Sequence, residues 1–320
     1  MYKKWYTVLA QSYIVIMIIS LAIGLFLPWS KYFTPWTTLI LQIIFFISGL
    51  KMRPELVLDG FKDWKYLISV NFYKMILLPA FVWLLTMFLP QDLSFALFLL
   101  ATMPAGMTAP LLVEVANGKQ STAMIVVVTT SLLAPFTIPL LIKLFYGASV
   151  TVDFTDMFIK LVAVIFIPLL LALCARRLFP NTVALINPKT KPISLYLLGL
   201  LIIAVISAQS ENIYNLSHNW WSLVIFLCGL LLFILMMHFT SYYSFWWKNH
   251  KEKNTTSITL TYMNFVLAIY LADKFFPKPE ILLPLVIIIV PWATFLPAWQ
   301  KISIKLDRCS RSKSGRLRRS

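Results

Sequence analysis

Long apolar runs, separated by short polar connections, dominate this chain. A transmembrane helix needs about 20 predominantly apolar residues, and ten segments approach or exceed that length. The first of them ends in Leu27-Pro-Trp-Ser without a small-residue cleavage site, which predicts a retained span rather than a signal peptide. The pattern predicts an all-α polytopic membrane protein with ten transmembrane helices. The predicted spans are residues 7–28, 36–51, 65–89, 92–117, 120–146, 154–178, 191–208, 220–245, 254–276 and 280–300.

The amino-acid composition supports this class. Hydrophobic residues make up 60% of the chain and charged residues 12%, whereas about a quarter of the residues in a soluble domain are charged. The chain therefore has too little polar material to coat a water-soluble protein. Cys174 and Cys228 lie in apolar runs, and we expect them to be small, buried hydrophobic side chains.

The 28 lysines and arginines indicate how the spans are oriented. With ten spans, 22 of them fall on the side that carries both termini, three on the opposite side and three inside spans. Because such residues concentrate on the cytoplasmic side, we expect a plasma (inner) membrane protein with both termini in the cytoplasm. The net charge of +16 is thereby explained by topology, and no nucleic-acid partner is predicted. The basic tail, residues 308–320, is predicted to lie on anionic lipid.

Ten spans divide into two halves of five, and an odd number in each half places the halves in opposite orientations. We therefore predict one transporter domain, residues 1–307, with inverted five-helix repeats at about 1–147 and about 153–301. The fourth and ninth spans are the least apolar at their middles. Interrupted helices at matching positions of two repeats are the best sequence indicator of a transport site.

Prolines and polar residues mark the middles of these two spans. Pro104 and Pro110, with Gly106 between them, remove backbone donors from the fourth span, and an ordinary proline kink is the alternative interpretation. The ninth span carries four threonines, a serine and Asn264 within ten residues. Hydroxyl groups can bond to their own helix, whereas Asn264 needs a partner or water. The candidate substrate-binding residues are Pro104, Ala105, Gly106, Thr108 and Asn264.

Further polar residues fall at about the same depth, half way across the membrane. Lys74 lies in the third span, where a charged residue costs about 2.5–3.5 kcal/mol. We expect it to face a cavity or a carboxylate, with snorkelling to the interface as the alternative. Other ionisable residues lie nearer the span ends. Glu114, close to the cytoplasmic end of the fourth span, is either a coupling carboxylate or a solvated side chain. Asp156 and Lys160, four residues apart near the outer end of the sixth span, predict a simple ion pair. The candidate coupling or cation-site residues are Lys74, Thr129, Thr130, Ser131 and Glu114.

Five motifs follow one another along the chain. They are Ser48-Gly-Leu-Lys-Met, Lys74-Met-Ile-Leu-Leu-Pro79, Met103-Pro-Ala-Gly-Met-Thr-Ala-Pro-Leu-Leu-Val-Glu-Val-Ala-Asn-Gly118, Leu132-Leu-Ala-Pro135 and Asn264-Phe-Val-Leu-Ala268. With these motifs in this order, the chain resembles a bacterial-type member of the bile acid:sodium symporter family over nearly its whole length. The resemblance implies a core domain and a panel domain, with discontinuous spans four and nine crossing at their breaks. It also implies transport of organic anions by alternating access, usually driven by sodium.

The chain departs from that family at the positions that bind sodium. The resemblance places Ala109 and Pro110 where the family has a Ser-Asn pair, Thr259 and Met263 where it has glutamate and glutamine, and Lys74 where it has glutamine. A hard cation needs several oxygen ligands and nearby negative charge, and both are reduced here. We hypothesise that the Lys74 ammonium group replaces one bound cation. The carrier would then be sodium-independent: a uniporter, an exchanger, or proton-coupled through Lys74, because burial favours a neutral lysine.

Other functions remain open from the sequence. One is a sodium-coupled symporter with a degenerate sodium site, and another is an inactive carrier or a channel- or receptor-like membrane protein without active transport. An enzyme is not expected, because motifs such as His-Glu-x-x-His and Gly-x-Ser-x-Gly are missing. No catalytic residue, metal site or cofactor is predicted, apart from sodium as a disfavoured ion. The predicted partners are the lipid bilayer and a small organic anion, such as a steroid-like, keto-acid or pantothenate-like molecule.

Overall fold

A computed structural model describes residues 13–52, 54–148, 152–186, 190–208, 210–211 and 220–317, and it is all-helical. Lys3, Lys4 and the start of the first predicted span lie outside these residues. A 3₁₀ helix, Pro28–Trp36, follows α1. The α-helices are α1 (Tyr13–Phe26), α2 (Thr37–Lys51), α3 (Pro54–Phe61), α4 (Trp64–Phe72), α5 (Leu78–Thr86), α6 (Gln91–Thr102), α7 (Ala109–Val115), α8 (Gln120–Tyr146), α9 (Phe154–Leu178), α10 (Pro180–Ile186), α11 (Thr190–Ala208), α12 (Trp220–Tyr243), α13 (His250–Thr261), α14 (Phe265–Phe275), α15 (Pro279–Ile287) and α16 (Ile289–Leu317).

Five helical stretches of the described chain are long and apolar enough to cross a membrane. The predicted all-helical class is confirmed, whereas the ten spans and the inverted repeat stay predictions. The last helix continues to Leu317, past the predicted start of the tail, and the domain limits also stay predictions. The five stretches are Tyr32–Lys51, Trp64–Thr86, Gln120–Tyr146, Phe154–Leu178 and Val224–Tyr243, and two shorter apolar helices are Gln91–Thr102 and Pro192–Ala208.

The helices pack in two groups. In the first group, α2 packs against both α9 and α11, and α11 packs against α1; in the second, α4 to α8 pack with α12 to α16. Small residues allow close approach within the first group: a Cβ atom on Gly49 of α2 would lie 2.7 Å from the Ala172 Cβ of α9. Contacts of α9 with α8 and of α14 with α2 join the groups.

A π turn, Tyr73–Leu77, lies between α4 and α5. Pro79 follows in the first turn of α5 and has no N–H to donate to a carbonyl four residues earlier. The backbone N–H of Leu78 instead reaches the carbonyl of Tyr73, five residues back. The wider turn rotates the preceding side chains relative to those that follow, and it carries Lys74.

The surface carries many apolar side chains on the outward faces of the long helices, as a lipid environment allows. Cys174 and Cys228 are exposed on such faces. The expectation that they are buried is therefore wrong, because apolar sequence in a membrane helix does not distinguish lipid-facing from core positions. The ion pair predicted for Asp156 and Lys160 is confirmed, with an N–O distance of 2.6 Å.

Candidate functional site

The first interrupted helix ends at Thr102, and the chain becomes extended at Met103 (φ −66°, ψ 144°). The Met103 N–H bonds to the carbonyl of Leu100 at 3.1 Å and closes the last turn. Pro104 then has no N–H to offer, so the helix cannot continue there. The chain becomes helical again at Ala109.

The second interrupted helix breaks between Thr261 and Phe265 without any proline or glycine. Tyr262 and Asn264 both adopt φ −81°, ψ 74°, close to the inverse γ-turn geometry. The matching bonds are present, since the Met263 N–H donates to Thr261 at 2.9 Å and the Phe265 N–H donates to Met263 at 3.0 Å. Two consecutive tight turns therefore interrupt this helix.

The two breaks lie against each other and pair as a short antiparallel bridge between Ala105 and Met263. The N–H of Gly106 donates to the carbonyl of Tyr262 at 2.7 Å, and the N–H of Asn264 donates to the carbonyl of Pro104 at 2.8 Å. Backbone groups released by each break are therefore satisfied by the other. We call residues 103–108 and 262–264 the crossing.

Gly106 is required at the crossing for steric reasons. A Cβ atom at this position would lie 2.7 Å from the carbonyl oxygen of Tyr262 and 2.8 Å from that of Met263. Real Cβ atoms do not approach backbone oxygens this closely, so any larger residue would force the two breaks apart.

Thr130 of α8 stabilises the first break from the side. Its Oγ1 accepts a hydrogen bond from the Ala105 N–H at 3.1 Å and donates to the carbonyl of Val126 at 2.6 Å. Thr129 instead bonds to the carbonyl of Ile125 in its own helix. The structure thus separates two adjacent predicted candidates: Thr130 contacts the crossing through a hydrogen bond, and the Thr129 hydroxyl bonds within α8.

Lys74 is fully buried beside the end of α6. Its Nζ donates to the carbonyl of Ala101 at 3.0 Å. In a continuous helix this carbonyl would accept from Ala105, whose N–H is taken by Thr130. No acidic side chain of the described residues lies within ion-pair distance of Lys74. The sequence predicted a cavity or a carboxylate beside Lys74. No carboxylate is seen there in this part of the chain, Lys74 lines neither of the two cavities described below, and its partner is a freed helix carbonyl.

The corresponding end of α13 has a neutral donor. The carbonyl of Thr261 accepts from the Trp292 Nε1 of α16 at 3.4 Å as well as from Met263. The two half-helices that end at the crossing therefore differ, because an ammonium group contacts one and an indole contacts the other.

The remaining candidates fall in different places. Asn264 caps α14, since its Oδ1 accepts from the Leu267 N–H at 3.1 Å, whereas Thr108 precedes α7 without a side-chain cap.

The remaining cation-site candidates lie apart from one another. Thr259 is buried but bonds to the carbonyl of Thr255 in its own helix. Ser131 is buried, and its Oγ has no partner among the described residues. Glu114 is exposed and accepts from Gln120 Nε2 at 2.8 Å, away from the crossing.

Residues 11–291 match the SBF-like CPA transporter family. The chain belongs to this family. The match covers both breaks and most of the described helices, and it agrees with the sequence resemblance at the level of bile acid:sodium symporter-like carriers. Membership identifies a transporter rather than an enzyme and, with the long apolar helices, an integral membrane protein. No curated protein matches the chain significantly.

Two cavities of this SBF-like transporter differ in position and size. A cavity of about 10 Å³ adjoins the crossing at Thr261 and Met263, with room for about one water molecule. A cavity of about 380 Å³ lies where α3, α4, α8 and α13 begin or end, between three ion pairs. These pairs are Lys62–Asp59, Lys119–Glu252 and Lys248–Asp63. The hydrogen bond from Lys248 holds the pKa of Asp63 below its ordinary value.

Sequence reasoning missed a polar cluster behind the crossing. His238 of α12 is fully buried and stacks on Trp299 of α16, with ring centroids 4.4 Å apart. Its Nδ1 lies 3.0 Å from the Ser257 hydroxyl of α13. The buried polar residue in an apolar run was the available signal, but its partners come from distant parts of the sequence. Within the described residues, no group of three or more His, Cys, Asp or Glu side chains is arranged to hold a metal ion.

Proposed function

We propose that this protein is a secondary active carrier of a small organic anion that works by alternating access without bound sodium. The Lys74 ammonium group serves as a fixed cation beside the crossing. The observation that carries the proposal is the contact of buried Lys74 Nζ with the carbonyl of Ala101, 3.0 Å away, at the end of an interrupted helix.

Ten spans and two inverted repeats are part of this proposal. The pair α6 and α7 and the pair α13 and α14 each extend, end to end, over more than the roughly 20 residues that a bilayer requires. Interrupted helices that meet near the middle of the membrane are the usual substrate and ion sites of inverted-repeat transporters. Both termini then lie in the cytoplasm, and the protein spans the plasma (inner) membrane.

A fixed cation explains the surroundings of Lys74. The carbonyl end of a helix is the negative end of its dipole, and transporters use such ends to hold Na⁺ or H⁺. An ammonium group at this end supplies the same charge from the protein itself. Because Lys74 lies in a span, where a charge costs about 2.5–3.5 kcal/mol, a structural position without function is a poor explanation for it.

The residues at the family's sodium-binding positions support a carrier that does not depend on sodium. At the positions that the resemblance assigns to sodium, Ala109 and Pro110 offer no side-chain oxygen, and Met263 offers a thioether. Thr259 does have an oxygen, whose hydrogen is donated to the carbonyl of Thr255, but this oxygen is a neutral ligand where the resemblance places a carboxylate. A hard cation is normally bound by about six oxygens with negative charge nearby, so these residues are a poor sodium site.

An organic anion is the substrate class that fits this charge. Lys74 has no acidic partner among the described residues, so a positive potential remains near the crossing. The carboxylate of a keto-acid, a steroid acid or a pantothenate-like molecule would complement it. The substrate would bind at Pro104, Ala105, Gly106, Thr108 and Asn264, where the two breaks meet.

The test begins with a thermal-stability screen of organic anions on the purified protein, followed by uptake of a stabilising anion into proteoliposomes. We expect saturable uptake and counterflow that do not depend on a sodium gradient. Lys74→Ala should abolish transport, and Lys143→Ala, which changes an exposed lysine near the end of α8, should leave it intact. Strong sodium stimulation would instead identify a sodium-coupled symporter with a degenerate site. Flux without saturation or counterflow would identify a channel.

A further inference from the structure

Two connections at one end of the molecule lie side by side. The first comprises α3 and the start of α4, residues 54–65, and the second joins α12 to α13, residues 244–249. Lys248 in the second connection forms an ion pair with Asp63 in the first, with an N–O distance of 2.6 Å, and its Nζ lies 4.3 Å from the centre of the Tyr66 ring. The two connections therefore form one surface.

This surface exposes large apolar side chains, although it lies beyond the ends of the long helices rather than along their sides. A cluster of such side chains is unusual on a surface that faces water, and it indicates contact with a protein or a membrane. Each member of the cluster is between 49% and 72% exposed. We call this set the collar: Leu58, Phe61, Trp64, Trp246 and Trp247.

The tryptophans of the collar lie where two membrane-crossing stretches begin or end. Trp64 is the first residue of the stretch Trp64–Thr86, and Trp246 follows shortly after the end of Val224–Tyr243. Ile68, one turn along α4 from Trp64 and on the same face, is also exposed. Because tryptophan at the end of a membrane-spanning helix is typical of the headgroup region, the collar marks one boundary of the bilayer.

The short helix α3 has one side packed on protein and another that is exposed. Gly60 packs against α8, since a Cβ atom there would lie 2.6 Å from the Cβ of Ile125. Leu58 and Phe61, three residues apart, are exposed on another side of the helix. A surface helix that exposes apolar side chains is suited to lie along the membrane interface.

Unpaired positive charge flanks the collar. Lys65, Lys251 and Lys253 form no ion pair with the described residues. The Lys65 Nζ lies 5.7 Å from the centre of the Trp64 ring, which holds its charge beside the collar. Three carboxylates of the same region are bound to lysines, and one further acidic side chain is exposed. The three are Asp59, Asp63 and Glu252, and the fourth is Glu55.

We propose that the collar binds anionic phospholipid headgroups, with the indole rings at the depth of the headgroups and with Lys65 and Lys251 contacting lipid phosphates. Ammonium groups near a membrane surface attract anionic lipid. A soluble partner fits less well, because the exposed stripe continues from Trp64 into the outward face of α4. In the proposed topology this boundary is the cytoplasmic leaflet, but the lipid contact itself does not depend on transport.

The position of the collar in the membrane can be measured by tryptophan fluorescence. Full-length protein and a variant that carries Trp246→Phe and Trp247→Phe are reconstituted into liposomes of phospholipid brominated close to the headgroup. We expect the fluorescence that this variant lacks to belong to the strongly quenched part of the wild-type signal. If the lost fluorescence is not quenched by the brominated lipid but is quenched by acrylamide in the water, the collar faces water, and the proposal is overturned.

The preference for anionic lipid is measured by thermal unfolding in phosphatidylcholine with and without phosphatidylglycerol. We expect phosphatidylglycerol to raise the unfolding midpoint of wild type by several degrees, and Lys65→Gln combined with Lys251→Gln to lose most of this rise. Lys143→Gln combined with Lys274→Gln is the matched control, because it removes two exposed lysines near the far ends of α8 and α14. The basic tail is present in every variant.

The control should keep the rise that phosphatidylglycerol gives to wild type. An equal loss in the two double variants would assign the effect to general charge and would overturn the site. A wild-type midpoint that does not respond to phosphatidylglycerol would overturn it as well. Neither result depends on whether the protein transports an anion, so failure here is distinct from failure of the proposed function.

Discussion

The two interrupted helices are broken by different means. The first carries Pro104 and Gly106, which end a helix through their own backbone chemistry. The second, between residues 250 and 275, has neither proline nor glycine, and it is interrupted by two tight turns whose outer backbone groups bond to the first break. The first break is caused by residues of its own segment, whereas the second depends on hydrogen bonds to a distant segment. The second break should therefore be lost when the first is disturbed.

The charge at the two breaks differs as well. The end of α6 contacts the ammonium of Lys74, whereas the end of α13 contacts the neutral indole of Trp292. Two helix ends that meet at the crossing are thus satisfied by groups of different charge. If the two halves are inverted repeats, as we propose, the positive charge lies in one repeat only.

The largest effect is expected for Gly106→Ala. Its Cβ would clash with the carbonyl oxygens of Tyr262 and Met263, at 2.7 and 2.8 Å, so the pairing of the breaks is lost. We expect destabilisation of about 3 kcal/mol or more, at the upper end of overpacking effects, seen as a lower midpoint of thermal unfolding in detergent. Gly229→Ala is the control, because a Cβ there meets nothing within 4 Å. Equal unfolding midpoints for the two variants would contradict a steric requirement at the crossing.

Lys74→Met tests the charged end of the first helix. The change keeps much of the side-chain volume but leaves the buried carbonyl of Ala101 without its donor. An unsatisfied buried group costs about 1–3 kcal/mol, so we expect a clear drop in thermal stability. Lys143→Met, at an exposed position near the end of α8, serves as the matched variant and should change little. A Lys74→Met protein as stable as wild type would show that the contact contributes nothing.

Asn264→Ala and Thr108→Ala compare the N-terminal caps of α14 and α7, the two helices that follow the breaks. Asn264 caps α14 through the Leu267 N–H, and loss of such a cap costs about 1 kcal/mol. Thr108 makes no side-chain cap at α7, so its replacement should have almost no effect. Thermal unfolding of both variants measures the difference, and a larger loss for Thr108→Ala would reverse the assignment.

The smallest effect is expected away from the crossing, at the ion pair of Asp63 with Lys248, 2.6 Å apart. The lysine lowers the pKa of Asp63 in the folded protein. Its stabilisation is therefore present above the ordinary carboxyl pKa and is lost as pH falls through the lowered value. Asp63→Asn should lower stability by less than about 1 kcal/mol at pH 7, because the pair is partly exposed. Thermal unfolding should show this difference disappearing in acid, and a difference that grows in acid would contradict the assigned sign.

The elements of the fold were largely predictable from the chain. Apolar runs located the long helices to within a few residues, because membrane thickness fixes their length. Pro104 and Gly106 signalled the first break through local chemistry. At the second break, the threonines and Asn264 indicated only that the segment is polar. The geometry of this break is stabilised by Pro104 and Gly106, more than a hundred positions earlier in the chain.

The details of the site were less accessible. Lys74 stood out as a buried charge, but its carbonyl partner could not be predicted, because that partner exists only once α6 has ended. Thr129 and Thr130 are equivalent in sequence, and their different roles follow from the rotation of α8. His238 depends on Ser257 and Trp299, which α13 and α16 bring to it. Pairings of this kind require the packed structure.

If Lys74 replaces a bound cation, the stability of the protein should not depend on sodium, and this can be measured without a substrate. The unfolding midpoints of wild type and Lys74→Gln are measured in sodium chloride and in choline chloride of equal ionic strength. We expect wild type to unfold at the same temperature in both salts. A saturable, sodium-specific rise in the midpoint of wild type would show that the protein binds sodium despite Lys74, and would contradict the claim.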